Sequence, residues 1–271
     1  NLPREGMFGV NMRNLITAPK GKKLVVVDLS QIEVRTLCWL SGDRETMDAI
    51  EKSDDIYEAF AIQFGLWSGD RGVLKKEDAK LRHKVKALVL GCGYGAGAKR
   101  FAEMYDMSLQ EAQDAVDLYR TKITRVPRYW KKLDREVDKA YNAGRLSLTL
   151  PSGRSLNYGN LRKTLAQGRI QFVSSINRNG QKRIMNLWGG VLAENLSQAL
   201  ARDIFSFMML EIDKADINII FHVHDEVICE CDEDEAEETL QKITQIMSTP
   251  PEWISDIPLD AEGEILTQYQ K

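Results

Sequence analysis

Two neighbouring carboxylates near the C-terminal end of the sequence are the residues best suited to do chemistry. Asp225 and Glu226 interrupt a largely apolar segment, FHVHDEVICE, at 221–230. The β-branched and aromatic residues on either side predict a β-hairpin that carries both acids at its tip. Adjacent carboxylates repel one another and therefore favour a cation or solvent. Mg²⁺ is held by one or two carboxylates plus substrate phosphates, whereas a solvated turn is the alternative interpretation.

A third carboxylate lies far upstream, at the end of another apolar run. Residues 22–28 read KKLVVVD, and LSQIEVRTLCWL at 29–40 has apolar residues at helical spacing. Asp28 is therefore expected where a buried strand ends and a helix begins. It could cap that helix. Alternatively, it could meet Asp225 and Glu226 across a sheet and hold two metal ions, which can stabilise the attacking and leaving oxygens of a phosphoryl displacement.

A basic helix is the third element whose residues could do chemistry. Residues 77–94 read EDAKLRHKVKALVLGCGY, with acids first and basic residues afterwards, an order that suits a helix. Arg82 and Lys86 share a helix face because they lie four residues apart, and Leu90 and Tyr94 continue that row. Guanidinium and ammonium groups bind phosphate oxygens. The face could hold a triphosphate at one end and a base pair at the other, or it could be a solvated basic surface.

Three segments resemble, in the right order, the polymerase motifs of family A DNA polymerases, the bacterial DNA polymerase I type. They are DLSQIEVR at 28–35, RHKVKALVLGCGYG at 82–95 and HVHDEVICE at 222–230. Other stretches are similar to the phage and prophage branch of that family: NLPR at 1–4, DIYEAFA at 55–61, LPSGRSLNY at 150–158 and GGVLAENLSQALARDI at 189–204. The resemblance covers essentially the whole chain. It implies a DNA-directed DNA polymerase that transfers deoxynucleotides from dNTPs to a primer 3′-hydroxyl on primer-template DNA.

The resemblance also implies a role for individual residues. Asp28 and Asp225 match the two metal-binding aspartates, the carbonyl of Leu29 would add a ligand, and two Mg²⁺ ions are the expected cofactor. Glu226 matches the neighbouring catalytic carboxylate. Lys86 matches the general acid for departing pyrophosphate. The positions that match dNTP-binding residues are Glu33, which would block a ribose 2′-hydroxyl, Tyr57, Arg82, Lys86, Leu90 and Tyr94, the aromatic at the templating position.

The residues that the resemblance assigns to DNA binding are Gln198, His224 and Arg154. Minor-groove contacts near a primer end suit a polymerase because the acceptors there are nearly the same for every base pair. Three positions depart from the bacterial pattern. Leu90 stands where those enzymes have Phe or Tyr, Tyr57 where many relatives have His, and Glu194 where they have Asn.

The implied fold class is α+β: a palm antiparallel sheet with a helical fingers insertion, as in right-hand polymerases. We expect residues 1–44 to form the first part of the palm, 45–185 the fingers, and 186–271 the second part of the palm with the catalytic hairpin. The fingers are predicted to be mostly helical, with one hairpin at RLSLTLPSGRSLNY. The thumb and exonuclease regions of the family are expected outside this chain, in a missing N-terminal region or a separate chain.

The composition is compatible with this interpretation. Forty-three per cent apolar and 28% charged residues are ordinary for a soluble protein, and the longest apolar runs are too short to cross a bilayer. Four cysteines without a CxxC pair are expected to be reduced, as in a cytoplasm. The family resemblance implies the cytoplasm of a bacterium or a phage-infected host cell. Eight basic residues and no acids between Arg145 and Arg183 could follow a phosphate backbone despite a net charge of −3. The acids at 232–238 indicate the solvated start of a helix.

Two other functions stay open from the sequence. A single-subunit RNA polymerase has a related fold and similar motifs, although Glu33 argues against ribonucleotide substrates. The chain could also be a portion that folds and binds nucleotide or DNA without extending a primer efficiently, because the family's thumb is expected elsewhere. Incorporation of NTPs against dNTPs would discriminate the first alternative, and primer extension would discriminate the second.

Overall fold

The computed structural model describes residues 11–166, 169–178 and 181–270, so the NLPR segment lies outside the described residues. The chain divides into two compact units. The first unit comprises the described residues up to Ile32 and those from Ala201 onward, and the second unit is Glu33–Leu200. The domain boundaries predicted at 44/45 and 185/186 differ from those of the two units and remain a prediction.

The helices and strands have the following bounds in chain order. The helices are α1 (Ile32–Ser41), α2 (Arg44–Glu51), α3 (Ile56–Phe64), α4 (Leu74–Glu77), α5 (Ala79–Cys92), α6 (Ala98–Tyr105), α7 (Leu109–Lys122), α8 (Arg125–Ala140), α9 (Gly189–Lys214) and α10 (Ala236–Ser248). The strands are β1 (Lys22–Leu29), β2 (Arg145–Thr149), β3 (Ser155–Gly159), β4 (Arg162–Ala166), β5 (Arg169–Arg178), β6 (Gln181–Leu187), β7 (Asn218–Val223), β8 (Glu226–Asp232) and β9 (Ala261–Leu266).

An antiparallel four-stranded sheet in the order β7-β8-β1-β9 forms the centre of the first unit. Residues 24–27 of β1 are fully buried, because this central strand is covered on both faces. That burial explains why its sequence is continuously apolar and does not alternate. On one face Leu24 packs in a cluster with Ile228 and Tyr269. On the other, α10 packs so closely against β9 that a Cβ on Gly263 would lie 2.6 Å from Leu240 Cδ1.

Helices dominate the second unit. Phe60 and Phe64 of α3 contact each other at 5.7 Å between ring centroids, and Phe64 contacts Tyr119 of α7 at 6.3 Å. The starts of α3 and α5 are capped by Asp55 and Asp78, whose carboxylates accept backbone N–H groups of the first turn. The caps fix where each helix begins, so the polar residues of α5 are held in a defined register.

Two smaller sheets also lie in the second unit. β2 and β3 form the hairpin that the sequence predicts, closed by a bond from Leu150 N–H to the carbonyl of Arg154. β4, β5 and β6 form a three-stranded antiparallel sheet with β5 in the middle. The sequence prediction of a mostly helical segment with one hairpin missed this sheet. Polar and basic residues dominate 162–187, so pairing between strands decides this structure and local apolar periodicity does not reveal it.

Most other predicted elements are present with shifted ends. The helix predicted at 77–94 is α5 with a separate turn, α4, before it, and Tyr94 lies beyond the end of α5. The acidic stretch forms a short 3₁₀ turn, Glu233–Glu235, ahead of α10, and its exposed side chains agree with a solvated helix start. The short helices α2 and α6 were not predicted. Within the residues that the structure describes, none of the helices combines the length and apolarity that a membrane crossing needs.

Candidate active site

The first unit brings the predicted catalytic carboxylates together at one end of the β1–β8 strand pair. Asp28 and Glu226 are directly opposite partners in that antiparallel register. The N–H of Leu29 donates to the carbonyl of Asp225 at 3.2 Å. Asp28 and Asp225 are partly exposed, whereas Glu226 is 5% exposed. Carboxylates that are far apart in the sequence therefore lie at the same end of the sheet, because β1 and β8 are neighbours that run in opposite directions.

The interpretation of Asp28 as a helix cap is wrong. Asp28 lies inside β1, and Leu29 to Gln31 separate it from the first residue of α1. A cap residue stands immediately before its helix, where its oxygen can reach the open N–H groups. The position of the Asp28 carboxylate is therefore set by β1, at the end of the sheet where Asp225 also lies.

The hairpin predicted around the two acids is confirmed, but only Asp225 lies at its tip, because Glu226 is already the first residue of β8. β7 ends at Val223 and β8 begins at Glu226, so His224 and Asp225 form the turn. His224 is exposed and adopts a positive φ of 55°, which few residues other than glycine adopt. The tight turn requires this conformation, and it projects Asp225 at the tip of the hairpin.

The carboxylate of Glu226 differs from the two aspartates in its surroundings. The hydroxyl of Tyr269 donates a short hydrogen bond to Glu226 Oε1. Tyr269 is fully buried and belongs to the apolar cluster on the β1 face. Burial, with the bond to Glu226 as the next cause, raises the pKa of Tyr269 well above its ordinary value. Glu226 is therefore held by the core of the first unit.

The donor set at this edge suits a hard divalent cation. Among the described residues, no three or more His, Cys, Asp or Glu side chains form a group that could hold a metal ion. That result is compatible with a site of two aspartates, because such a site contains only two of these side chains. Asp28, Asp225 and a backbone carbonyl offer oxygen ligands only, and Mg²⁺ completes such sites with water and substrate phosphates.

The second unit holds the predicted triphosphate-binding residues on α5. Arg82 Cζ lies 5.2 Å and Lys86 Nζ 5.8 Å from the centroid of the Tyr57 ring. The two cations therefore share one face of the helix, as their spacing predicts. Tyr57 is 3% exposed, and burial raises its pKa to about 12, so it stays neutral beside them. Leu90 is 36% exposed on the same helix.

A hydrogen-bond network links three segments of the second unit around the carbonyl of Glu33. Ser197 Oγ of α9 donates to that carbonyl at 2.9 Å and lies 2.6 Å from Thr36 Oγ1. The hydroxyl of Tyr94 donates to Ser197 Oγ at 3.2 Å, and burial raises the pKa of Tyr94 above its ordinary value. The backbone at Glu33 and the side chain of Tyr94, two predicted dNTP-site residues, are thus fixed to one another.

Two of the predicted DNA-binding residues also lie together in the second unit. Arg154 Nη2 donates to the carbonyl of Ala199 at 2.8 Å, the residue after Gln198. Both Arg154 and Gln198 are exposed. Asn195 Nδ2 donates to the hydroxyl of Tyr158 at 3.0 Å, which ties the β2–β3 hairpin to α9. An exposed cation and an exposed amide therefore share one surface.

The basic side chains between Arg145 and Arg183 are exposed wherever they are described. These exposed cations are Arg145, Arg154, Arg162, Lys163 and Arg183. The side chains of Arg169, Arg178 and Lys182 lie outside the described part of the chain. Lys163 Nζ stands 4.4 Å from the centroid of the Tyr141 ring and 5.1 Å from that of Phe172.

Sequence reasoning missed the residues that hold the predicted ones in place. Asp55, Tyr269 and Ser197 each contact a predicted site residue through a side chain. Of these, only Asp55 had a local signal, because an Asp followed three residues later by a Glu is typical of a helix start. The other two act across long sequence separations that no local pattern reveals.

Comparisons with known proteins define the class of this fold. A solved structure described as the polymerase domain of Pol1 from M. smegmatis, in complex with DNA primer-template and dNTP, superposes with a TM-score of 0.74 at 25% identity. The match covers 100% of this chain and 44% of that one. The fold is therefore that of a DNA polymerase I polymerase domain, and the predicted α+β class with an antiparallel sheet is confirmed.

Sequence comparisons agree with the structural one. The model of DNA polymerase family A matches residues 1–271, and the chain belongs to that family. The DNA polymerase of Bacillus phage SP02 is 28% identical over 96% of this chain and 43% of its own length. DNA polymerase I of Pseudomonas aeruginosa is 27% identical over 100% of this chain and 27% of its own length. The chain thus spans less than half of these relatives.

Proposed function

We propose that this chain carries out DNA-directed DNA synthesis, the transfer of deoxynucleotides from dNTPs to a primer 3′-hydroxyl with release of pyrophosphate. The observation that carries the proposal is the meeting of Asp28 and Asp225 at one edge of the sheet, in a chain of family A. Acids from opposite ends of the sequence are drawn together there, and the neighbouring Glu226 is held by the core.

The residues of the first unit would organise the reacting end of the primer. Asp28, Asp225 and the Leu29 carbonyl would hold two Mg²⁺ ions, which polarise the primer hydroxyl and offset charge on the triphosphate. Glu226 would support this edge through its bond to Tyr269. His224, exposed beside Asp225, would contact DNA near the primer 3′ end.

The residues of the second unit would bind the incoming nucleotide. Arg82 and Lys86 would hold the triphosphate and offset negative charge on the leaving pyrophosphate, and Lys86 would donate a proton to it. The contribution is mainly positioning and electrostatic stabilisation, because phosphoryl transfer needs little covalent chemistry from the protein. Glu33 would exclude a ribose 2′-hydroxyl.

The remaining assignments concern the template and the duplex. Tyr94 would stand at the templating position, and its hydrogen bond to Ser197 would set the position of its ring. Gln198 and Arg154 would contact primer-template DNA from their shared exposed surface. Leu90, exposed on α5, would lie beside the incoming sugar and base. Tyr57 would contribute to dNTP binding through the contacts of its ring with Arg82 and Lys86.

Primer extension with the 271-residue chain tests the proposal. We expect template-directed addition of dNTPs with Mg²⁺, and its loss in Asp225→Asn and Asp28→Asn. The same change at Asp234, an exposed acid of the 3₁₀ turn, is the matched control and should leave extension unchanged. Addition that persists in both active-site variants would contradict the assignment of the carboxylates. Preferential addition of NTPs would contradict the role of Glu33 and favour an RNA polymerase.

A second candidate function is nucleotide or DNA binding without efficient extension. It is favoured by one observation, the span of the chain over only 43% of the phage relative. In that case the chain would bind dNTP and primer-template DNA but extend the primer slowly, and a partner chain supplying a thumb would restore extension. Co-purification or size-exclusion chromatography would show whether such a partner accompanies the protein.

A further inference from the structure

One carboxylate of the second unit is paired with the predicted triphosphate-binding arginine. Arg82 Nε donates to Asp55 Oδ2 at 2.5 Å, and Arg82 Nη2 donates to Asp55 Oδ1 at 3.2 Å. The two side chains are 24% and 15% exposed, so solvent reaches the pair only in part. A planar two-bond contact of this kind fixes the orientation of a guanidinium as well as its position.

Asp55 is itself firmly anchored. Its Oδ1 accepts the N–H of Tyr57 at 3.0 Å and so caps α3. Its backbone is bonded to Ser53, whose Oγ donates to the Asp55 carbonyl at 2.9 Å. The Tyr57 ring that this cap positions is the one beneath both Arg82 and Lys86. The start of α3 therefore supplies a rigid support for the cations of α5.

The bonds to Asp55 use one edge of the Arg82 guanidinium. That edge carries Nε and one hydrogen of Nη2, so the Nη1 hydrogens and the second Nη2 hydrogen are not used by Asp55. A carboxylate and a phosphate oxygen can therefore bind different edges of the same group. The pair does not need to break when a triphosphate arrives.

We propose that Asp55 is a positioning residue that holds Arg82 in the orientation in which it binds the triphosphate of the incoming nucleotide. This inference rests on the proposed function, since it assumes that Arg82 meets a triphosphate. Asp55 lowers the cost of binding because a long side chain that is already ordered loses little freedom when the ligand arrives. Its negative charge acts on the ligand only through the arginine.

The test compares binding of a dNTP and of inorganic tripolyphosphate by titration calorimetry in the full chain. Asp55→Asn removes the charge but keeps a residue that caps helices well. We expect the Kd of both ligands to rise about three- to tenfold, the equivalent of ordering one long side chain. In an Arg82→Lys background, which lacks the two-bond contact, the same change should have almost no further effect.

A matched control is available at the start of α5, the helix that carries Arg82. Asp78 caps α5 by accepting the N–H of Leu81 at 2.8 Å, so Asp78→Asn makes the same chemical change at a second cap. Its Kd for both ligands should equal that of the unsubstituted chain. Thermal unfolding of both variants shows whether the fold is kept. An Asp55→Asn effect that Asp78→Asn reproduces would assign it to the helix cap and overturn the positioning role.

Other outcomes separate this inference from the function on which it rests. Unchanged or tighter binding by Asp55→Asn, in a chain that binds both ligands, would overturn the positioning role alone; tighter binding would mean that Asp55 competes with the triphosphate. Failure of the unsubstituted chain to bind either ligand would overturn the triphosphate site, and the role of Asp55 with it. An undiminished effect in the Arg82→Lys background would show that Asp55 does not act through Arg82.

Discussion

The bond between Tyr269 and Glu226 gives a sharp prediction for stability. Tyr269→Phe removes one hydroxyl and keeps the ring, so the packing in the β1 cluster and the contact of Arg13 with the ring at 5.8 Å are preserved. The lost bond has an acidic acceptor that is 5% exposed. Hydrogen bonds to charged groups contribute about 1.5–3 kcal/mol. We therefore expect the free energy of unfolding to fall by about 2 kcal/mol.

The assay is urea unfolding followed by circular dichroism, with a thermal melt beside it. A loss of about 2 kcal/mol corresponds to a lower Tm by about 4 to 8 °C in a chain of this size. Tyr129→Phe is the matched control. Burial alone raises the pKa of Tyr129, and its hydroxyl has no hydrogen-bond partner within the described part of the chain. That variant should stay within about 0.5 kcal/mol of the unsubstituted protein.

A double-mutant cycle decides whether the loss belongs to this bond. If Tyr269 stabilises the fold through Glu226, Tyr269→Phe should cost much less in a Glu226→Gln background, because the charged acceptor is already gone. Equal losses from Tyr269→Phe and Tyr129→Phe would refute the reasoning. Additive losses from the Tyr269 and Glu226 changes would refute it as well, since contact residues that interact do not act independently.

Two further predictions follow from burial. Alkylation by iodoacetamide should modify the partly exposed Cys231 first. Burial raises the pKa of all four thiols, but it also closes three of them to the reagent: Cys38, Cys92 and Cys229. Mass spectrometry of early time points checks the order, and equal rates would contradict it. Glu58→Gln should lower the free energy of unfolding by about 2 kcal/mol in urea, because the Glu58 carboxylate is 1% exposed and accepts the N–H groups of Gly72 and Leu74. Glu103→Gln on the exposed face of α6 is the control, and an equal loss there would contradict the role of burial.

Local patterns predicted the elements that have strong apolar signals. The continuous run in β1, the hairpin at Asp225 and the row of Arg82 and Lys86 all follow from residues close together in the chain. Their physical origin is local: β-branched runs favour strands, and residues four apart share a helix face. The resemblance to family A extended these signals to individual residues, and the family and the fold class were confirmed.

The three-stranded sheet shows where local patterns fail. The residues of β4, β5 and β6 are largely polar and basic, so no periodic apolar pattern indicates these strands. Their hydrogen bonds are made between strands. The interpretation of Asp28 as a helix cap failed for a related reason. A carboxylate after an apolar run suits a helix cap as well as a strand end, and only the end of β1 at Leu29 distinguishes the two.

The sequence by itself determined the chemistry that this protein has available. Carboxylates in two motifs and cations in a third were identified from residue types and spacing alone. The tertiary structure decided which side chains hold them: Asp55 on Arg82, Tyr269 on Glu226 and Ser197 on the carbonyl of Glu33. Such partners lie far apart in sequence, and a single hydrogen bond leaves no periodic trace. They become visible only when packing brings the partners within bonding distance.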